Sequence, residues 1–451
     1  MKSSLWKFIA ATSLVGLLVA CQEEVPPVEE EMEEEEVIDD GGEVVIHGSP
    51  NILFIIADDM GLDATNGYPE GSTKPTTPHL DSIRDAGLAF TNMWVNPTCS
   101  PTRASIITGK YGHTTDVLAA GDELGAEHQT LQAYISQETG GEYATAVVGK
   151  WHLAGSNTSF NPETLGIDYY AGHIRGTANS YQEWDFTEDG VTTTETEYIT
   201  KKFTDLAIDW VEEQTTPWFL WLAYTAPHTP FHLPPAGMHL QGDLPGDEAS
   251  ISANSEPYYM AAIEAMDFQV GELLDAIGPE QLANTYVIFL GDNGTPGRVA
   301  QNPYGRGMAK GSVYQGGINT PLFVAGPNVT PMGMDNALFN GVDLFATMAS
   351  MAGASVSSVH DSRSFLSVLQ GADENVRDYI YSELRADDGS TQYAIRNTSH
   401  KLIVGSEGTE ELYDLSADPY ETTNLLDSGL NGIEQAQKEA LEAAAAEIRG
   451  E

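Results

Sequence analysis

Apolar positions in this chain fall mostly in unbroken runs. Asn51-Ile52-Leu53-Phe54-Ile55-Ile56-Ala57 is one, and it stops abruptly at Asp58-Asp59. Residues 286–291 form another, stopping at Asp292-Asn293. Residues 143–148 run into Gly149-Lys150-Trp151-His152, and residues 218–224 run towards His228. A strand that is apolar at every position is buried on both faces, as in the centre of a parallel sheet. Between these runs, residues 77–86 and 258–277 read as helices. The expected fold class is therefore α/β, with a large, mostly parallel central sheet flanked by helices. After about residue 372 the pattern changes. Residues 379–383, 392–396 and 401–404 are shorter and more alternating, with Gly, Ser and Asn between them. They predict a small C-terminal antiparallel sheet. Residues 434–449, rich in Ala and Glu, predict a closing helix.

In open α/β sheets ligands bind beyond the carboxyl ends of the strands. Four strands here end in Asp, Asp, Lys, His, His, Asp and Asn. One polar end is ordinary; four together point to a single shared site.

The first residues have a different character. Lys2 and Lys7 lead into residues 8–20, which carry no charge. That run is too short to span a bilayer and reads as the apolar part of an export signal. It ends in Leu18-Val19-Ala20-Cys21, which resembles the cleavage box of bacterial lipoproteins and implies a lipidated Cys21. Residues 22–43 hold twelve acids and two prolines, so they should form an extended tether. The expected organisation is a signal peptide over 1–20 and lipidated Cys21 with its tether over 21–48. A catalytic domain follows over 49–372, and a C-terminal α+β subdomain over 373–451. The chain should be exported and held to the outer membrane by lipid alone, on its periplasmic or outer face.

Charge narrows the functions. The chain has 67 acids against 20 bases, a net of −47, and the part after the tether still carries −37. Nucleic-acid binding needs a cationic footprint, so it is excluded. A surface this acidic suits high salt, where charges are screened within ~3 Å at 1 M. With two cysteines, one of them expected to carry lipid, a disulfide framework is excluded as well.

The remaining cysteine lies in Cys99-Ser100-Pro101-Thr102-Arg103, followed by Ala-Ser-Ile-Ile-Thr-Gly-Lys-Tyr. This stretch resembles the signature of the formylglycine-dependent (type I) sulfatases, of the alkaline phosphatase-like superfamily. Further segments match that family in order: Asn51 to Gly61, Gly149 to Leu153, Ala226 to Pro230, Gly291 to Gly294, Lys310 to Ile318, and Glu411 to Leu425. Two positions depart from it: Gln315 stands where the family usually has Glu, and Asn319 where it often has Arg.

The resemblance implies a sulfatase. Cys99 would be oxidised by a maturation enzyme to formylglycine, whose hydrate is the nucleophile, with a covalent sulfo-enzyme intermediate. Asp58, Asp59, Asp292 and Asn293, with residue 99, would hold a divalent cation. Oxygen ligands suit calcium, the family's usual ion, or magnesium. Arg103 would ease ionisation of the hydrate, and Lys150 and Lys310 would bind sulfate oxygens. His152 would take a proton, and His228 or Lys310 would protonate the leaving alcohol. His113 and Arg175 are candidate substrate contacts. The expected substrate is a sulfated carbohydrate or polysaccharide. A phosphonate monoester or phosphodiester hydrolase on the same fold stays open as an alternative, as does a non-catalytic glycan-binding lipoprotein.

Overall fold

A computed structural model describes residues 48–386 and 388–451. The expected signal, Cys21 and nearly all of the tether lie outside the described residues.

The apolar runs become the middle of a ten-stranded sheet. Its five central strands are Thr285–Gly291, Asn51–Ala57, Trp218–Ala223, Ala144–Lys150 and Tyr169–His173, side by side and parallel. The strand Asn51–Ala57 shows why the run had to be continuous. Ile52, Phe54 and Ile56 enter one apolar core, while Leu53, Ile55 and Ala57 enter the other, on the opposite face. Helices close both cores. Tyr259, Met260, Ile263, Met266, Val270 and Leu273 of the helix Glu256–Ala283 fill one. Ile106, Ile107, Leu344, Phe345 and Met348 from two shorter helices fill the other. Each such side chain contributes roughly 1.5–3 kcal/mol of burial. The long helix breaks at Gly278 (φ +76°), just before Pro279, close to where the expected helix ended.

Most pairings at the sheet's margins are antiparallel, although the edge strand Gly333–Asp335 runs parallel to Leu88–Phe90. Leu322–Ala325 lies between Thr285–Gly291 and Leu88–Phe90, and Trp184–Glu188 pairs with Val191–Glu195 as a hairpin. The expected C-terminal sheet forms with four strands, Ile380–Arg385, Thr391–Arg396, His400–Val404 and Glu410–Asp414, all antiparallel. The fourth was read only as a motif. The closing helix, Gly432–Arg449, starts on an Asn431/Glu434 capping box. It presses Leu441 and Ala445 onto Tyr381, Ile395, Leu402 and Leu412. None of the helices among the described residues is long and apolar enough to cross a membrane.

Candidate active site

Strand register assembles the site. Ala57 pairs with Gly291, so the next residues, Asp58 and Asp292, leave adjacent strand tips together. The Asp292 amide donates to Ala57 O (3.0 Å), and the Asp59 amide donates to Asp292 Oδ1 (3.1 Å). Asn293 Nδ2 donates to Asp59 Oδ1 (2.7 Å). Asp59 takes a left-handed backbone (φ 74°), and so does His152 (φ 60°) just beyond the strand Ala144–Lys150. Such strain persists where the surroundings fix it, commonly at functional sites.

The signature stretch is the helix Cys99–Thr108, with Cys99 at its first turn. The spacing of four puts Arg103 on nearly the same face as Cys99. Its Nε and Nη2 both reach Asp292 Oδ2 (3.1 and 2.8 Å), and its Nη1 donates to Lys150 O (2.7 Å). Lys150 Nζ bonds Asp58 and lies 3.7 Å from Cys99 Sγ. In a matured chain that sulfur stands where an oxygen of the hydrated aldehyde would sit. Lys310 Nζ reaches Asp59 Oδ1 (2.5 Å), and His228 Nε2 lies 3.7 Å from Asp59 Oδ2. His152 is joined to the signature helix through its carbonyl, which accepts from Ser100 Oγ (2.8 Å). The ten expected residues of the metal and catalytic sets thus meet at one end of the sheet.

Burial and fixed charge set the protonation states. Burial pushes the Cys99 thiol up, so an unconverted cysteine there is a poor thiolate. Burial would raise Asp58, but Lys150, His228 and Arg103 outweigh it and hold the carboxyl below its ordinary range. Asp292 goes up, through burial and the neighbouring Asp58, with Arg103 opposing. Burial lowers both His152 and His228, so both imidazoles are neutral near pH 7. Lys310 rises: burial acts downward, and Asp59 more than compensates.

The residues fit a hard divalent cation. Asp58, Cys99 and Asp292 converge, as do Asp58, Asp59 and His228. Asp58 Oδ1 and Asn293 Oδ1 are buried with no hydrogen-bond partner among the described residues. Orphaned buried oxygens are costly, and a carboxylate-amide donor set is what calcium or magnesium takes.

His113 and Arg175 do not join this cluster through any polar contact. His113 donates its amide and presents Nδ1 to Glu383 Oε1 (2.8 and 2.9 Å). Arg175 is exposed, on a loop next to His152. The departures Gln315 and Asn319 serve packing. Gln315 Oε1 accepts from Trp94 Nε1 (2.8 Å), and Asn319 Nδ2 donates to Thr91 O (2.9 Å). Sequence reading missed the supporting residues. Tyr259 OH donates to Asp59 O (2.7 Å), and Tyr181 OH reaches Thr225 O and His228 O (2.8 and 2.7 Å). A buried tyrosine must find such a partner, yet nothing local in the sequence says which.

So much fixed positive charge around one buried side chain, next to oxygens suited to a divalent cation, defines a hydrolase for an anionic ester. Comparison with known proteins narrows the class. The sulfatase family model matches residues 50–354, and the model for the C-terminal part of N-sulphoglucosamine sulphohydrolase matches residues 307–447. An N-acetylgalactosamine-6-O-sulfatase of Bacteroides thetaiotaomicron is 26% identical, over 83% of this chain and 89% of its own. A choline-sulfatase of Rhizobium meliloti is also 26% identical, over 86% and 85%. The solved structure of Ps i-CgsB in complex with k-i-k-neocarrahexaose superposes with a TM-score of 0.71 at 25% identity, over 88% of this chain and 92% of that one. The chain belongs to the sulfatase family. It is a sulfuric ester hydrolase, and its family uses a metal ion and a formylglycine made from the signature cysteine.

Proposed function

We propose that this protein removes sulfate from a sulfated carbohydrate. The observation that carries the reading is the buried meeting of residue 99 with Lys150, Arg103 and three carboxylates at the strand tips. The carbohydrate part draws support from a relative named as an N-acetylgalactosamine-6-O-sulfatase and from a similar structure solved in complex with k-i-k-neocarrahexaose.

The proposed ion is calcium, held by Asp58, Asp59, Asp292 and Asn293 together with residue 99. Bound there, it would polarise sulfate oxygens and leave the site net positive towards an anion. The hydrated aldehyde at position 99 would supply the oxygen that attacks sulfur, and its second hydroxyl would supply the route by which sulfate leaves. Arg103, pinned twice to Asp292, holds fixed charge beside that oxygen. Lys150 and Lys310 bind the ester's sulfate oxygens, where fixed cations meet developing negative charge without reorganising. His152, kept neutral by burial, is a proton acceptor. His228 orients through Nδ1–H, which donates to Thr229 O (2.7 Å). Its Nε2 then lies unprotonated near Asp59, so Lys310, kept cationic there, is the proton donor to the leaving alcohol, and His228 relays a proton only after its Nε2 has first accepted one.

We further propose that Cys21 carries lipid, that the tether lifts the enzyme from the outer membrane, and that a maturation enzyme converts Cys99. The direct test is sulfate release from defined sulfated oligosaccharides by protein shown by mass spectrometry to carry the aldehyde. Faster cleavage of phosphate esters than of sulfate esters would overturn the assignment.

A further inference from the structure

Unpaired positive charge is scarce on this molecule. Residues 48–451 hold 18 lysines and arginines. Nearly all of them engage a carboxylate, a carbonyl or a neighbouring side chain. Two exposed arginines, Arg175 and Arg306, have no hydrogen-bond or ion-pair partner among the described residues. On a body of −37, acids are close almost everywhere, so a bare guanidinium needs an explanation. The sequence gives part of it. Residues 293–334 contain no Asp or Glu while carrying Arg298, Arg306 and Lys310, and residues 169–182 around Arg175 are also free of acids.

Both arginines stand on loops built onto the catalytic cluster. Arg306 lies four residues before Lys310, so their Cα atoms are at most about 14 Å apart. Its loop is held at both ends. Before it, Gln301 accepts from the amides of Ser72 and Thr73 (3.0 and 2.8 Å) and donates to Asp63 O and Thr73 O (3.0 and 2.8 Å). After it, the Lys310 amide donates to Thr295 O (3.1 Å) and the Gly311 amide to Pro97 O (2.9 Å). Between these anchors Arg306 is flanked by Gly305 and Gly307, and a Cβ added at either glycine would meet nothing within 4 Å. Arg175 precedes Gly176, where a Cβ would stand 2.0 Å from His152 Nε2, so that loop lies directly on His152.

We infer that Arg306 and Arg175 form a subsite for a second anionic group on the substrate, a sulfate or carboxylate near the sulfate being removed. A guanidinium fork matches either group with two parallel hydrogen bonds. The acid-free surroundings keep the fork available, and the loop that carries Arg306 is anchored on either side of it. This inference rests on the sulfatase reading of the site and specifies the substrate as polyanionic.

The test measures kcat/KM of matured wild type, Arg306→Ala, Arg306→Lys and Arg175→Ala on three matched oligosaccharides. One carries a single sulfate, one a second sulfate, and one a neighbouring uronate. Wild type should prefer at least one of the doubly anionic substrates about tenfold at low salt, chiefly through KM. Arg306→Ala and Arg175→Ala should each erase most of that preference, Arg306→Lys should keep part of it, and the preference should fade at 1 M NaCl. The comparison of the second sulfate with the uronate identifies the anion. Equal rates on all three substrates, or losses in the variants within twofold of each other across them, would overturn the subsite. Failure of wild type to release sulfate from any ester would instead overturn the reading of the site, and the subsite with it.

Discussion

At the scale of single residues, position 99 carries the most specific consequence. Its side chain is buried and small, so Cys99→Ala should stay folded, with a melting temperature close to that of wild type, and release no sulfate. Unfolding of this variant would show that the residue is structural. Arg103 makes a related point about chemistry. It contacts one carboxylate oxygen through two nitrogens and a carbonyl through a third. An ammonium cannot reproduce that fork. Arg103→Lys should lower kcat by about a hundredfold or more, equivalent to about 2.7 kcal/mol, while the fold survives. Wild-type rates from that variant would remove Arg103 from the mechanism.

At the scale of elements, the strand tips and the C-terminal sheet act together. The loop bearing Lys310 continues to Gln315, whose amide donates to Glu421 Oε2 (2.7 Å). Glu421 pairs with Lys401 inside the core, and Lys401 also donates to Val313 O (2.7 Å) and lies over Trp94. Breaking a buried pair by removing one charge costs about 3–5 kcal/mol. Glu421→Gln should therefore lower the melting temperature clearly, and it should raise KM as the Lys310 loop loosens. An unchanged melting temperature would contradict this brace. A second brace is sensitive to pH. His232 stacks on Tyr181 with ring centroids 3.7 Å apart and bonds Tyr198 OH through Nε2 (3.0 Å). Burial pulls it down to about 4. Above about pH 6.5 both the folded and the unfolded chain hold it neutral. Between there and pH 4 only the unfolded chain takes up the proton, so stability falls as the pH falls. Melting curves of wild type should drop more steeply over this interval than those of His232→Gln; parallel slopes would exclude the effect. Four of the five parallel strands could be read from sequence because each is a nearly continuous apolar run leading into polar or charged residues, whereas Tyr169–His173, with its Tyr-Tyr-Ala-Gly-His, carries no such run and was not read. Val191–Glu195 could not, since its Val-Thr-Thr-Thr-Glu carries no burial pattern and lies largely exposed at the sheet edge. Glu421, Tyr259 and Gln301 were hidden for another reason. Their partners are distant in sequence, and only the folded chain says which buried donor meets which acceptor.

At the scale of the whole molecule, an enzyme with a strongly negative body works on negative esters. Repulsion within the body should ease as salt screens it. The melting temperature is expected to rise between 0.05 and 1 M NaCl, and a fall would contradict the view that surface acids oppose each other here. The charge also makes the local arrangement necessary. Arg103, Lys150 and Lys310, with the ion the carboxylates would hold, offset the surrounding field in one place. The central claim is that this place breaks the ester's bond between sulfur and oxygen. Hydrolysis in ¹⁸O-labelled water tests it most directly. Matured enzyme should put the label into the released sulfate and leave the alcohol unlabelled. Label in the alcohol would mean that carbon–oxygen cleavage had occurred and would contradict the account.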